Sequence, residues 1–456
     1  MARTIRAPDA VSGLASRVAL PPRLGADWRT WLRLAREHPE LLAVAIATPV
    51  FWFPFRVPAL TVLAMALLPL SLVLAWRLRA HLTARTGLEP PLVYVLVAVC
   101  LACLPVTDWQ LGLPKVLGMA LGATLLIAIP NAVRTRSALR AARLLLALGT
   151  LLVAVGGLIS SDWVPGKSST IDQLRELFPL LVRDVVRATP NGGINPNEVA
   201  GVLALLLPFQ MIQLTARGAE GDTAGQRGEV ILGAMALASG LLTLVVTASR
   251  SGVVGVALAA LLALGLRLRT ELGRRRRRPL ISLTAGILGM VGLGALAGVQ
   301  TLRSPDVRAA LSESTATRLE IWDRAWHMLR DFPITGIGLG QFDPVIHALY
   351  VPFRLPPEQF IPHAHNVLLD YPVELGIPGA AALAVLVWRF CIACRLAMRS
   401  NDALVARTGA GLLLGLASFI VYGMTDAIAP GARGGLALWA VLGLGAAVGR
   451  SSQWPA

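Results

Sequence analysis

The feature that most constrains this chain is a series of apolar blocks, each close to the ~20 residues that cross a bilayer as a helix. Pro/Gly breaks and short basic segments separate them. Hydropathy places spans near 41–55, 57–76, 91–106, 112–131, 144–160, 197–216, 229–247, 252–268, 280–300, 370–389, 404–424 and 434–449. Any one block could be the core helix of a soluble domain, but a dozen uncharged blocks in series cannot all be buried that way. With 55% of 456 residues hydrophobic and only 15% charged, the expected fold class is an all-α integral membrane protein with about twelve transmembrane helices.

The formal charge of +16 would suggest nucleic acid in a soluble protein. Here its distribution orients the chain instead. With both termini cytoplasmic, the inside segments hold 28 of the 42 Lys and Arg, including Arg274 to Arg278 in "GRRRRRP". Short outside loops keep only Arg56, Lys115, Arg250 and Arg433, and ten more basic residues lie in two long outside loops, where the rule has little force. The basic excess therefore anchors the protein to anionic membrane lipids, and no nucleic-acid partner is expected.

Six segments follow. Residues 1–40 form a cytoplasmic basic arm whose Trp28, Trp31, Leu32 and Ala35 share a helical face fit for the interface; spans 1–5 occupy 41–160. The first apolar block follows this arm, as expected of an uncleaved first span. Residues 161–196 form an outside loop whose "SSTIDQLRELFPLLVRDVV" has amphipathic helical spacing, and 197–300 hold spans 6–9. Residues 301–369 form the large outside loop, and 370–456 hold spans 10–12 and a cytoplasmic tail. In the large loop Thr317 and Glu320 fit a capping box opening a helix with Leu319, Trp322, Trp326 and Leu329 as its apolar stripe. The glycines of "GIGLGQF" miss nucleotide-binding spacing and read as backbone turns. Cys100/Cys103 and Cys391/Cys394 resemble zinc half-sites, but they lie in or at the end of apolar spans and read better as small helix residues. The GxxxG pairs Gly118/Gly122, Gly294/Gly298 and Gly411/Gly415 would allow close helix packing.

The unusual polar residues near span ends gather on the predicted outer side: Asn195, Asn197 and Glu198 at the mouth of the sixth span, Arg250 in "TASRSG", Arg318 opening the loop helix, His363, His365 and Asn366 before the tenth span, and Asp370 and Glu374 entering it. Arginine is a permanently charged, forked donor suited to phosphate or pyrophosphate. For Arg250 the alternative is a snorkelling or ion-paired residue; for Arg318 it is pairing with Glu320 or Asp323. Histidine can accept a proton from a hydroxyl near neutral pH. His363 and His365 could instead bind a metal or form a structural turn. No third imidazole lies close in sequence and the chain has no DxD pair, which favours chemistry without a metal.

"NPNEVAG", "TASRSG", "RLEIWDRAWHMLRDFPITGIGLGQF" and "HAHNVLLDYPVELGIPG", in this order and spacing, resemble the O-antigen ligase and polymerase superfamily of bacterial envelope glycosyltransferases. The motifs cover roughly residues 190 to 380. The resemblance implies an inverting, metal-independent, cofactor-free transfer at the outer face of the bacterial inner membrane. The implied donor is an undecaprenyl-pyrophosphate-linked glycan, and the acceptor is a sugar hydroxyl on lipid A-core (ligases) or on a second lipid-linked glycan (polymerases). Matched residue by residue, Arg250 and Arg318 would bind the pyrophosphate, and His365, or alternatively His363, would orient or deprotonate the acceptor. Asn195, Asn197, Glu198, Asn366 and Asp370 would line the substrate site. A lipid-linked sugar transporter or flippase is the rival class, but transporters place polar or interrupted helices near the midplane, and the predicted span interiors here carry almost no ionisable groups. A structural envelope scaffold is the third reading, and it gives no reason for Arg and His to be gathered at one depth.

Overall fold

The computed structural model describes residues 36–52, 58–160, 194–214, 224–271 and 305–454. The predicted interfacial helix of the arm, the amphipathic segment of the first loop and the span at 280–300 lie outside the described residues. A helix covers each of the other eleven predicted spans. In chain order the helices are α1 (Pro39–Trp52), α2 (Pro58–Arg79), α3 (Glu89–Ala102), α4 (Trp109–Ala132), α5 (Arg136–Ser160), α6 (Pro196–Leu214), α7 (Ala224–Val246) and α8 (Arg250–Glu271). There follow α9 (Pro305–Asp331), α10 (Phe342–Leu349), α11 (Val367–Met398), α12 (Ala403–Gly423) and α13 (Gly435–Val448). Seven of them, α2, α4, α5, α6, α7, α11 and α12, are long and apolar enough to cross a membrane. The chain is a multi-pass membrane protein. Exposed Leu63, Leu70, Leu145, Leu152 and Trp388 give these helices the greasy outer surface a bilayer requires.

The centre of the bundle is α6, whose Leu203, Leu207 and Phe209 are fully enclosed. It packs against α12, α7, α8 and α5. Close approach comes from glycine: a Cβ on Gly415 would run into the Leu205 carbonyl of α6, one on Gly118 into the Gly431 carbonyl, and one on Gly122 into the Trp439 ring. Two of the three GxxxG pairs therefore sit where helices touch, and the third, Gly294/Gly298, lies outside the described residues. All four cysteines are free thiols on α3 or α11 or just after α3, as small helix residues should be.

The large loop folds into a small core of its own. Ile321, Ala325 and Met328 of α9 pack with Ile337, Phe342, Ile346, Ile361, Ala364 and Val373. This corrects two expectations. The helix begins at Pro305, where proline suits the first turn, so Thr317 is internal and is not a cap. Glu320 instead accepts the N–H groups of Phe353 (2.6 Å) and Arg354 (3.0 Å). The buried stripe is 321/325/328, and Leu319 and Trp326 are more than half exposed. Leu329 still packs against this core and Trp322 is half-buried, so the inward face is the predicted stripe shifted by about one residue step around the helix.

The "GIGLGQF" segment is a run of turns, with Gly336, Gly338 and Gly340 all at positive φ (66°, 99° and 74°). It docks onto α11 where that helix breaks at Gly376 (φ 71°). The Val373 carbonyl freed there accepts from Ile337 N–H (2.8 Å), and Ile377 N–H donates to the Pro333 carbonyl (2.8 Å). Gln341, fully buried, accepts from the backbone N–H groups of Thr107 and Asp108 and donates to the Asp108 carbonyl. The loop core is thus clamped to one end of the bundle.

Because Gly415 has backbone behind the space its Cβ would need, Gly415→Ala should lower the thermal midpoint in detergent, at a cost of about 1–3 kcal/mol of overpacking. Gly149 has open space around it. Gly149→Ala should leave the midpoint unchanged or raised, by up to ~1 kcal/mol of helix propensity.

Candidate functional site

The polar residues converge where the loop core meets the bundle. Asn366 caps α11: its side-chain oxygen accepts from Leu368 N–H (2.9 Å) and its amide donates to the Met424 carbonyl (3.0 Å). One turn on, Asp370 accepts from Ala364 N–H (3.0 Å), and Tyr371 O–H donates to the Ile428 carbonyl (2.9 Å). The start of α11 is therefore sewn to the connection between α12 and α13. That connection supplies Asp426, which is buried.

His365 stands in this frame at φ 51°, a left-handed backbone that a non-glycine residue adopts only when its surroundings hold it there. Its Nδ1 lies 3.2 Å from Asp426 Oδ1. A carboxylate at Nδ1 favours the tautomer with the proton on Nδ1, leaving Nε2 as a lone-pair acceptor. His363 lies edge-on to His365, ring centroids 4.4 Å apart. Its Nδ1 accepts the His365 backbone N–H (3.2 Å), so the neutral ring keeps its proton on Nε2. The two histidines thus have different jobs open to them: the Nδ1 lone pair of His363 is occupied, and the Nε2 lone pair of His365 is not required by the contacts described.

Burial, reinforced by the neighbouring His365 and only partly opposed by Asp426, pushes the His363 pKa down to about 3. Burial alone would raise Asp426, but the hydrogen bond from His365 and the charges available on both imidazoles outweigh it and hold the carboxyl below its usual range. His363, His365 and Asp426 offer ligand atoms that all lie within 4.8 Å of one another, so this trio could also hold a metal ion.

Around the trio are the other predicted residues. Asn195 caps α6, its side chain accepting from Asn197 N–H (2.9 Å), and Pro196 follows in the first helical position. The Asn197 carbonyl accepts from Tyr422 O–H (2.8 Å), and Glu198 accepts from Gly434 N–H (3.0 Å). Arg250 opens α8 straight after the turn at Ala248 (φ 54°), as the hairpin reading expects. Arg318 sits in the middle of α9, not at its start. Its charge reaches both Arg250 and the Tyr422 hydroxyl. Among the described residues neither guanidinium is paired with a carboxylate; Glu320 and Asp323, the partners considered for Arg318, are engaged by Arg324 and by backbone N–H groups instead. Two unpaired cations that repel each other thus lie on the same side as the imidazoles.

Below them, Lys115 of α4 pairs with Glu374 of α11, which also accepts from Gly340 N–H (3.2 Å). The sequence reading placed Lys115 in a short outer loop and did not anticipate this bond. It also missed Asp426, Tyr422 and Gln341. Asp426 had a signal, since "TDAIAP" puts a lone carboxylate in a short apolar connection at the depth of the histidines. The described helices carry buried ion pairs elsewhere as well, Arg143 with Glu229 (2.9 Å) and Arg79 with Glu40 (2.8 Å). These four residues lie at or just beyond the ends of the predicted spans, so the pairs tie helix ends together.

The fold and this end of it define a class: a multi-pass helical membrane protein with an imidazole, carboxylate and guanidinium site capped by a folded loop. Residues 234–384, from α7 to the middle of α11, match the sequence profile of the family described as O-antigen ligase, in line with the superfamily that the motifs resemble. The superfamily comprises glycosyltransferase-like ligases and polymerases. The matched stretch contains Arg250, Arg318, His363, His365, Asn366 and Asp370, but neither Asn195–Glu198 nor Asp426. No curated protein matches the chain.

His363 predicts a pH effect. A group with its folded pKa depressed from 6.5 to about 3 contributes stability in full above pH 6.5, which is lost as the unfolded chain takes up a proton the folded site refuses. Stability should fall between pH 6.5 and 3, by about 1–2 kcal/mol at pH 5 from this residue. Asp426, its pKa already low, adds to the loss only below about pH 4. The thermal midpoint of His363→Asn, which keeps an acceptor for the His365 N–H, should fall less between pH 7 and 5 than that of the unmodified protein. Equal slopes would show that His363 does not titrate this way.

Proposed function

We propose that this protein is an inverting, metal-independent glycosyltransferase of the O-antigen ligase type. It moves a glycan from an undecaprenyl-pyrophosphate donor to a sugar hydroxyl on lipid A-core. The site faces the outer side of the bacterial inner membrane, on a frame of about twelve spans with both termini cytoplasmic and the segment boundaries given above. The observation that carries the reading is the pair of unpaired guanidiniums, Arg250 and Arg318, beside the His365–Asp426 dyad.

In this mechanism the two arginines grip the pyrophosphate, whose negative charge relieves their mutual repulsion. As the acceptor oxygen attacks the anomeric carbon from the face opposite the leaving group, its proton passes to His365 Nε2, and the bond from carbon to pyrophosphate oxygen breaks. Asp426 holds the ring with Nδ1 protonated and stabilises the imidazolium. The arginines stabilise charge on the departing pyrophosphate, so no general acid is needed. His363, neutral and hydrogen-bonded, supports the His365 backbone. Asn197 and Glu198 line the acceptor side. Asn195, Asn366 and Asp370, whose polar atoms cap helices or hold the histidine loop, shape the site for substrate.

Polymerase activity of the same superfamily uses the same chemistry on a different acceptor and is the nearest alternative. A metal-dependent reaction is favoured by one observation, the ligand spacing of His363, His365 and Asp426. The transporter reading lacks a comparable one, since the ionisable groups of this site gather at one end of the bundle.

Purified protein given a lipid-pyrophosphate glycan and candidate acceptors should form product in the presence of EDTA. His365→Ala should lower the rate about 10²–10⁴-fold, and Arg250→Ala about 10²–10³-fold, with the thermal midpoint of each retained. Glycan joined to lipid core identifies a ligase, and a lengthened lipid-pyrophosphate chain a polymerase. Activity lost in EDTA and restored by a divalent metal would transfer the trio to a metal, and undiminished activity in both variants would remove the site assignment.

A further inference from the structure

The other end of the bundle holds a cavity of about 520 Å³ between the C-terminal ends of α2, α4 and α13. It is lined by Arg85, Arg134, Arg450, His81 and Trp454. α4 separates it from the histidine site: the helix starts just after its N-cap Asp108, which Gln341 clamps, and ends two residues before Arg134. At 1.5 Å per residue that distance is about 36 Å. The cavity and the histidine site are therefore distinct.

Its charge is unbalanced. Among the described residues no carboxylate pairs with Arg85, Arg134 or Arg450. Arg134 donates to Asn131 Oδ1 (3.1 Å) and lies 3.0 Å from His81 Nε2, while Arg450 donates to Gln453 Oε1 (2.7 and 3.0 Å). Arg134 Nε is buried without a hydrogen-bond partner. Burial and the charges of Arg450 and Arg79 hold the Arg134 pKa below that of a free guanidinium, the electrostatic mark of cations crowded together without an anion. The helix C-termini of α4 and α13 supply roughly half a negative charge each, which three guanidiniums exceed.

The cavity lies where α2 and α4, both long and apolar enough to cross a membrane, come to their ends, which is the depth of phospholipid phosphates. A forked cationic pocket at that depth matches a phosphate headgroup.

We infer that this cavity is a binding site for the phosphate headgroup of an anionic phospholipid, held by Arg85, Arg134 and Arg450. The site does not depend on the transferase reading and would stand in a protein of this fold with another activity.

The test uses the full-length protein in a neutral detergent, with phosphatidylglycerol, phosphatidylcholine or sodium phosphate added at equal concentration. Phosphatidylglycerol should raise the thermal midpoint and remain bound in native mass spectrometry, and phosphatidylcholine should do neither. Arg134→Gln/Arg450→Gln should cut the retained phosphatidylglycerol at least threefold. Arg85→Gln, at an exposed position where folding is not at risk, should weaken retention in the same direction. Equal retention of the two lipids, or phosphatidylglycerol retention unchanged in both variants, overturns the proposal. A midpoint shift with sodium phosphate that equals the lipid's assigns the pocket to a free anion and overturns the lipid.

Discussion

The ion pair between Lys115 and Glu374 is the interaction on which the site depends. It joins α4 to α11 just below the histidines, and Glu374 reaches further to the Gly340 N–H, so one carboxylate fixes two helices and the folded loop at a single point. Breaking such a buried pair by removing one partner leaves an uncompensated charge and costs about 3–5 kcal/mol. The pair also decides where α11 can kink. Glu374 must face α4 while Val373 faces the loop core, and the break at Gly376 frees the Val373 carbonyl to meet Ile337. The loop that carries Arg318 and the helix start that carries His365 are therefore held in register by a bond that belongs to neither residue.

A bilayer imposes the rest. Polar groups in its interior must find partners within the chain, and at the site end nearly all of them do. Asn366, Asp370, Tyr371, Tyr422, Asn197 and Glu198 each bond to backbone or side chain. Against that background the groups left open stand out: the guanidiniums of Arg250 and Arg318, one nitrogen of His365 and the buried Oδ2 of Asp370. Satisfied groups build the walls of a site, and unsatisfied ones define what it can hold.

Much of this was legible in the sequence because the bilayer writes a strong periodic signal. The predicted spans coincide with helices wherever the chain is described, and the turn chemistry of "GIGLGQF" and "TASRSG" was readable from glycine and small residues. Arg250, Arg318 and the two histidines could be singled out by residue type and depth. What could not be read depended on contacts between distant segments. Asp426 is 61 residues from His365, and Lys115 is 259 residues from Glu374. The buried face of α9 was misread for a related reason: Trp322 and Trp326 are the bulkiest apolar side chains there, but the loop core selects the smaller Ile321, Ala325 and Met328 by shape. Size is visible in a sequence, and complementarity to another segment is not.

The arginines carry one further step. Arg79 and Arg143 are each paired with a buried glutamate, and Arg136 with Asp402. Two clusters have no carboxylate partner among the described residues, Arg250 with Arg318 at one end of the bundle and Arg85, Arg134 and Arg450 at the other. Like charges left together weaken the folded state unless an anion arrives to separate them, because the repulsion grows as water is excluded. Such clusters are tolerated most easily where the missing anion is abundant, and a membrane supplies phosphate along both of its faces. The two ends of this protein then differ in what stands beside the cations: at the first an imidazole held against the buried carboxylate of Asp426, at the second a cavity whose lining holds no carboxylate. On the readings proposed above, the first cluster serves chemistry and the second attachment.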